Sequence, residues 1–252
     1  MPRGFFTLLK REAFRFLSLP NQTLLPPVVS VVLYVIVFGF FLGNHVREIE
    51  GVPYLTYIFP GLIIMGSTMA SFQNPASSLF ISRWEHFIDD LLVAPIPYFH
   101  MVCAYILAAI LRGMLVAGLS LGVLFFFVRS PVMHPFYFLL SVFCSSACFA
   151  CLGVISGLYS KRWDHIAIIQ NYVVTPMVFL GGVFYSAMTL PEQWRWISYI
   201  NPLHYMVAAI RYSCIGVADI GFASGILVTS GIGLILFIIS VELFRRGYNL
   251  RS

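Results

Sequence analysis

The chain has 252 residues, of which 60% are hydrophobic, 16% aromatic and only 10% charged. Soluble domains are typically about 45–50% apolar and about 25% charged, and disordered chains combine low hydrophobicity with high charge, so the composition excludes both classes. The 15 Lys and Arg against 10 Asp and Glu give a formal charge of +5, which in a membrane protein marks the cytoplasmic loops and does not indicate nucleic-acid binding.

The first 23 residues predict an amphipathic helix that lies along the membrane surface. Apolar side chains recur there at helical spacing, which leaves Lys10, Arg11 and Arg15 to face water or lipid headgroups. The first long apolar run begins only near Leu24 and no small-residue cleavage site follows it, so we expect no cleavable signal peptide. Residues 1–23 are therefore predicted to be an interfacial helix.

Six segments are long and apolar enough to cross the hydrocarbon core of a bilayer, which takes about 20 residues of helix. They are residues 24–42, 55–72, 101–128, 136–159, 166–185 and 223–244, and charged residues are almost absent from them. The loops between them are too short to hold a separate soluble domain. The sequence thus predicts one all-α integral membrane domain with six transmembrane helices over residues 1–252.

The distribution of Lys and Arg predicts the orientation. With six spans both termini share one side, and the cations of that side are Arg3, Lys10, Arg11, Arg15, Arg83, Lys161, Arg162, Arg245, Arg246 and Arg251. The opposite side carries Arg47, Arg129, Arg195 and Arg211. Because cytoplasmic loops are enriched in Lys and Arg, this excess places both termini in the cytoplasm.

The chain lacks the common motifs for nucleotide hydrolysis, zinc hydrolysis and serine catalysis. It contains no G-x-x-x-x-G-K-[ST], no H-E-x-x-H and no G-x-S-x-G, and its six His lack metal-ligand spacing. Cys144, Cys148 and Cys151 share one face of the fourth predicted span, either as a soft-metal or redox site or, as we favour, in a small-residue surface for close helix packing. We therefore expect this chain to bind no metal and no cofactor.

The loop at residues 82–98 is acidic although it lies on the cation-rich side. Its apolar residues predict one face of a short helix, with Glu85 and Asp89 one turn apart on another face, and Pro95 and Pro97 after its end. Such a helix is either a docking element for a basic groove on a partner or a solvated interfacial helix without a partner.

Arg112 falls near the middle of the third predicted span. An Arg at that depth costs at least about 2.5–3.5 kcal/mol on insertion scales, so its side chain should face protein, water or headgroups. It is either a cavity-lining cation that holds an anionic or polar-headed substrate, or a structural residue that snorkels or pairs with Gln170 or Asn171.

The second predicted span ends in a polar run that includes Ser71, Gln73 and Asn74. Polar residues in lipid face other helices or water, and Pro75 and Pro176 each remove a helix hydrogen bond that neighbours or a cavity must replace. These features predict a polar interior surface, which serves either as a substrate pathway or as ordinary helix packing.

Residues 180–211 contain apolar pieces that are too short to span and are interrupted by Gly and Pro. This pattern is typical of a helix pair that enters the outer leaflet and returns, with aromatic residues at the interface. The segment also resembles the closing signature of the type-2 permeases of ATP-binding-cassette exporters. The matching residues are Gly182, Phe184, Ser186, Leu190, Pro191, Asn201, Pro202, Leu203, Tyr205 and Arg211.

Two further stretches carry the same resemblance. Residues 89–95 resemble the family's coupling helix, and residues 60–62 resemble the start of its second span. The similarity extends along the whole chain to Arg251 and Ser252 and is greatest to the group of YadH-type, nodulation-factor and drug-exporter permeases. Trp84 and His86 depart from the family, because they flank Glu85 where many members have Arg-Glu-x-Gly-Thr.

The resemblance implies six spans, an N-terminal connecting helix, a cytoplasmic coupling helix and re-entrant helices between spans five and six. It also implies a homodimer in the bacterial inner membrane that binds two copies of a separate ATPase, with ATP and Mg on that partner. The implied ATPase contacts are Arg83, Glu85, Asp89, Asp90, Leu91 and Leu92. The implied substrate pathway or gate comprises Arg112, Ser71, Gln73, Asn74, Gln170 and Asn171.

The function that follows is export of an amphipathic or lipid-linked substrate, such as a drug, a lipo-oligosaccharide or a glycolipid. An intramembrane enzyme or scaffold acting on lipid-linked intermediates is the alternative. That alternative requires clustered acids or His near a membrane face, and the sequence offers only the acidic loop at residues 82–98.

Overall fold

The computed structural model describes residues 2–42, 48–128 and 132–249. Arg47, Arg129 and Arg251, which entered the orientation count, lie outside the described residues. From the N-terminus the first helices are α1 (Pro2–Leu17), α2 (Pro20–Thr23), α3 (Leu25–Tyr34), α4 (Tyr54–Trp84), α5 (Phe87–Val93) and α6 (Tyr98–Leu124). They are followed by α7 (Pro135–Tyr159), α8 (Trp163–Ile169), α9 (Thr175–Leu180), α10 (Glu192–Ile200), α11 (Pro202–Ile215) and α12 (Phe222–Arg245).

Short elements of other kinds connect these helices. Strands β1 (Glu48–Ile49) and β2 (Val52–Pro53) pair antiparallel across a turn in which Glu50 and Gly51 both have positive φ. Wider π-helical turns cover Val35–Leu42 and Gln170–Val174, and a 3₁₀ turn covers Ala187–Thr189.

By length and composition, four helices in the described part of the chain can cross a membrane, namely α4, α6, α7 and α12. They correspond to the second, third, fourth and sixth predicted spans, and α7 and α12 agree with the prediction to within one residue at each end. The second span was predicted over residues 55–72, whereas α4 continues to Trp84 and includes Pro75.

The first and fifth predicted spans are helical runs of mixed type. α3 leads directly into the π-helical turns at Val35–Leu42, and α8 leads through Gln170–Val174 into α9. The second π-helical stretch ends two residues before Pro176, which has no N–H to donate to the preceding turn. The fifth run ends at Leu180 and not at residue 185, because Gly182 takes a φ of +77° and starts a non-helical turn.

α4 forms the centre of the bundle and packs against α3, α6, α7 and α11. Close packing depends on small residues, since Gly113 lies against Ser71 and Ser146, and Gly153 lies against the Phe72 carbonyl. Cys148 and Cys151 are buried free thiols on the same face of α7. α12 lies on the outside of the bundle, where its apolar side chains are largely exposed.

Candidate functional site

The loop at residues 82–98 contains the short helix α5, and the two faces of this helix differ in exposure. Ile88 and Leu91 are buried against neighbouring helices, whereas Asp89 and Asp90 are exposed and Val93 is 86% exposed. Leu92 is half-buried. Since the apolar face anchors α5 to the rest of the molecule, the two aspartates and Val93 form a surface that is available to a partner.

Glu85 occupies a different place from the predicted one. It follows the end of α4, and His86, with a left-handed φ of 58°, separates it from α5. Glu85 and Asp89 therefore do not share a helical face, although both are exposed. The sequence contains no helix breaker between them, so the pattern did not reveal this turn.

Arg83, predicted as an ATPase contact, is engaged within the chain. Its guanidinium donates hydrogen bonds to the backbone carbonyls of Gly157, Leu158 and Ser160 at the end of α7, and to the carbonyl of Asn249. Cations stabilise helix C-termini, where carbonyls lack intrahelical partners. Arg83 therefore joins α4 to α7 and to the chain that follows α12.

The N-terminal helix also differs from its prediction. Arg11 and Arg15 were expected to face water or headgroups, but both are half-buried and form ion pairs with Glu12, which is fully buried. Ser78 on α4 donates a 2.6 Å hydrogen bond to Glu12. The buried carboxylate is the partner that holds these arginines inward. No local pattern predicts its burial, because its donor Ser78 is 66 positions away.

Two residues of the predicted pathway contact the N-terminal segment. Arg15 Nη2 donates to Asn74 Oδ1 at 2.9 Å and to the Asn74 carbonyl at 2.8 Å. Arg112 Nη2 donates to the Thr23 carbonyl at 2.8 Å. The structural pairing of Arg112 was expected with Gln170 or Asn171, and its observed acceptor is instead this carbonyl at the end of α2.

The remaining pathway residues fall into three environments. Gln73 on α4 donates a 3.1 Å hydrogen bond to Gln170, so this pair connects α4 to the fifth helical run. Ser71 is buried and donates to the Ser67 carbonyl of its own helix. Asn171 is exposed. A cavity of about 490 Å³ lies beside the glutamine pair and is also lined by Arg15 and Arg112.

On the opposite end of α4, the residues of the closing signature hold a chain reversal together. Arg211 is buried, donates a 2.7 Å hydrogen bond to the Gly182 carbonyl and lies 3.9 Å above the Tyr57 ring. Asn201 caps α11 by accepting from Leu203 N, and its amide donates to the Met177 carbonyl. These residues therefore fix the connection between α9 and α11.

Other residues of the signature act at the same connection. Phe184 stacks on Phe38 at 4.4 Å, Pro191 precedes the first turn of α10, and Pro202 begins α11. The Tyr205 backbone lies so close to α12 that Gly225 has no space for a Cβ atom. The signature residues thus position the turn after α9 and the helices α10 and α11 against their neighbours. None of these contacts involves catalytic chemistry.

Two acids that no sequence motif predicts, Glu50 and Asp219, meet at Ser186 beside this region. Ser186 Oγ lies 2.7 Å from Glu50 Oε1 and 3.1 Å from Asp219 Oδ1, and Ala187 N donates to Asp219 Oδ2. The network ties the β1–β2 hairpin to the loop before α12. Ser186 is 136 positions from Glu50 and 33 positions from Asp219 in the chain, so no local pattern links them.

Comparison with known proteins defines the class. The family model described as "ABC-2 type transporter" matches residues 3–215, and the chain belongs to this family. It is a multi-pass inner-membrane permease of an ATP-binding-cassette transporter, as the apolar helices and the relatives agree.

The relatives cover nearly the whole chain. It is 34% identical to the inner membrane transport permease YadH of Escherichia coli K12, over 96% of this chain and 94% of the relative. It is 23% identical to nodulation protein J of Rhizobium leguminosarum bv. viciae, over 89% of this chain and 87% of the relative. It is also 23% identical to nodulation protein J of Rhizobium meliloti, over 96% of this chain and 93% of the relative.

Proposed function

We propose that this chain is the membrane-spanning subunit of an exporter that moves an amphipathic or lipid-linked substrate outward across the inner membrane. The substrate classes are drugs, lipo-oligosaccharides and glycolipids. A separate ATPase binds ATP and Mg and supplies the energy. The observation that carries this proposal is α5, a helix with a buried apolar face and two exposed aspartates directly after the long central helix α4.

The position of α5 supports a role in transmitting motion. Only Glu85 and His86 separate it from α4, and Ile88 and Leu91 pack it against the bundle. A partner that changes shape on binding ATP and holds the exposed side of α5 would displace α4. A ligand on another chain can thereby shift the population of two permease conformations.

The proposal includes six spans, with α3 and its π-helical turns as the first and the run from α8 to α9 as the fifth. It includes α10 and α11 as re-entrant helices on the far side, both termini in the cytoplasm, and a homodimer with two ATPase copies. The surface of α10 supports its placement at the membrane interface. α10 carries exposed Trp194 and Trp196, which suit a membrane interface.

The alternative of an intramembrane enzyme needs acids that are free to react. Glu50 and Asp219 do meet at Ser186, but their oxygens accept hydrogen bonds from Ser186 and from Ala187 N. These bonds give the pair a structural role, and we therefore retain the permease.

Docking is tested by reversing charge on α5. The variant Asp89→Lys/Asp90→Lys should lose co-purification with the ATPase, because an acidic surface that docks on a basic groove becomes repulsive. Glu48→Lys/Glu192→Lys, a double reversal at exposed residues of β1 and α10, is the matched control and should retain the ATPase. Equal retention by both variants would refute docking through α5.

A further inference from the structure

The cavity of about 490 Å³ near the N-terminal segment has an unusual balance of charge. It lies between α1, α2, α4, α6 and α8. Its polar lining consists of Arg15, Gln22, Thr23, Gln73, Ser77, Arg112 and Gln170. No Asp or Glu is among the residues that line it. Two guanidinium groups therefore face one cavity that supplies no carboxylate.

Arg112 is the more confined of the two cations. It is 5% exposed, one of its nitrogens donates to the Thr23 carbonyl, and its Nε is buried without a hydrogen-bond partner among the described residues. A buried charge that lacks both a counter-ion and a full set of hydrogen bonds is costly. The side chain thus has unused capacity to bind an anion.

The adjacent cluster on α1 does not supply that anion. Glu12 pairs with Arg11 and Arg15 and accepts a hydrogen bond from Ser78. Arg11 and Arg15 therefore both pair with this one carboxylate, whereas Arg112 has no ion pair within the part of the chain that the structure describes. The excess positive charge at the cavity calls for a negative ligand.

The surroundings of the cavity are apolar and open. Leu19 and Trp163 line it and are both about half exposed. A second cavity, of about 270 Å³, shares Gln73 and Gln170 with the first and continues along Tyr34 and Phe179 without any charged lining residue. A polar, cationic chamber thus leads into an apolar groove, which matches a ligand with an anionic head and a hydrocarbon chain.

We propose that this cavity binds the anionic headgroup of an amphiphile, a phosphate or similar oxyanion, between Arg15 and Arg112. Arginine presents a planar fork of donors that suits phosphate oxygens. The hydrocarbon chain lies along the groove beside Tyr34 and Phe179. The inference deepens the proposed function and rests on it only for identifying this amphiphile as the transported substrate, since binding itself requires no ATPase.

Binding of dioctanoyl phosphatidic acid to the purified chain in detergent tests the proposal. Dioctanoylglycerol has the same chains and no phosphate, and inorganic phosphate has the anion without chains. We expect saturable binding of phosphatidic acid at least about tenfold tighter than of either comparator, because one comparator lacks the charge-assisted hydrogen bonds and the other lacks the apolar chains. Arg112→Gln should weaken it by about tenfold, while Arg245→Gln, an exposed cation on α12, should not.

A second pair of variants covers the case in which Arg112→Gln does not fold. Gln22 is exposed and lines the cavity, whereas its neighbour Asn21 is exposed and does not. Gln22→Glu should weaken the binding of phosphatidic acid several-fold by like-charge repulsion, and Asn21→Asp should leave it unchanged.

Three results would overturn the proposal. Equal affinity for phosphatidic acid and dioctanoylglycerol would show that the cavity has no anion site. Inorganic phosphate binding as tightly as phosphatidic acid would show that the hydrocarbon chains contribute nothing. Insensitivity of binding to Gln22→Glu would place the ligand elsewhere. Because the assay contains no ATPase, each of these failures leaves the docking test on α5 unaffected, and a failure of docking leaves this assay unaffected.

Discussion

The Ser78 hydroxyl donates a 2.6 Å hydrogen bond to the fully buried carboxylate of Glu12. This bond joins the N-terminal helix to the central helix α4, from which α5 follows. Arg11, which is paired with the same carboxylate, also lies 4.3 Å above the Phe87 ring at the start of α5. The N-terminal helix, α4 and the proposed ATPase-docking helix are therefore connected through one buried acid.

Loss of the Ser78 hydroxyl should destabilise the chain. Ser78→Ala leaves Glu12 short of a donor in a buried site, which costs about 1–3 kcal/mol and should lower the thermal unfolding midpoint in detergent. Ser77→Ala is the matched control, because Ser77 bonds to the Gln73 carbonyl of its own helix. Equal midpoints for the two variants would contradict the role given to Glu12.

Arg83→Lys should affect stability more than ATPase binding. A lysine ammonium cannot replace the planar fork that reaches the carbonyls of Gly157, Leu158 and Ser160, so we expect a loss of at least about 1.5 kcal/mol. The measurements are the unfolding midpoint and the ATPase retained per folded permease.

Arg162→Lys is the control for this substitution, because Arg162 is exposed just before α8. An unchanged midpoint for Arg83→Lys, together with lost ATPase retention, would restore Arg83 as a direct ATPase contact.

Asn201→Ala should loosen the connection between α9 and α11. The substitution removes the cap on α11, worth about 0.5–2 kcal/mol, and also leaves the Met177 carbonyl without its donor. Hydrogen exchange should increase at the first turn of α11. Asn171→Ala, at an exposed position, should not change exchange there, and a matching increase in both variants would argue against the cap.

Ser186→Ala should release the β1–β2 hairpin. Its single hydroxyl proton lies between Glu50 and Asp219, so its removal leaves two carboxylates without the group that joins them. Amide exchange at residues 48–52 should rise by roughly tenfold. Thr189→Ala, which removes a hydroxyl that bonds within the same turn, should leave exchange at the hairpin unchanged, and protection of the hairpin in both variants would contradict the link.

The sequence predicted what depends on local composition. α7 and α12 were located to within one residue because transfer of apolar helix into lipid is a property of each segment alone. The acidic helix is also predictable from its own residues, since Ile88 and Leu91 recur at helical spacing. The closing signature includes Asn201 and Arg211, but the sequence does not show that they bond to the carbonyls of Met177 and Gly182.

Contacts between residues that are far apart in the sequence could not be predicted. The burial of Glu12 depends on Ser78, 66 positions away, and the engagement of Arg83 depends on carbonyls 74 to 77 positions away. A charged residue is predicted to be exposed until such a partner is known, because burying a charge without a partner costs too much free energy. Arg112 donates to the Thr23 carbonyl. The sequence alone could not identify this acceptor, because many polar groups along the chain are possible acceptors.

Reconstitution tests the central claim most directly. Vesicles containing this chain and its ATPase should move a labelled amphiphile across the bilayer only when ATP is present, and the same vesicles carrying Asp89→Lys/Asp90→Lys should not. Movement that is equally fast without ATP or without the ATPase would contradict an energised permease coupled through α5.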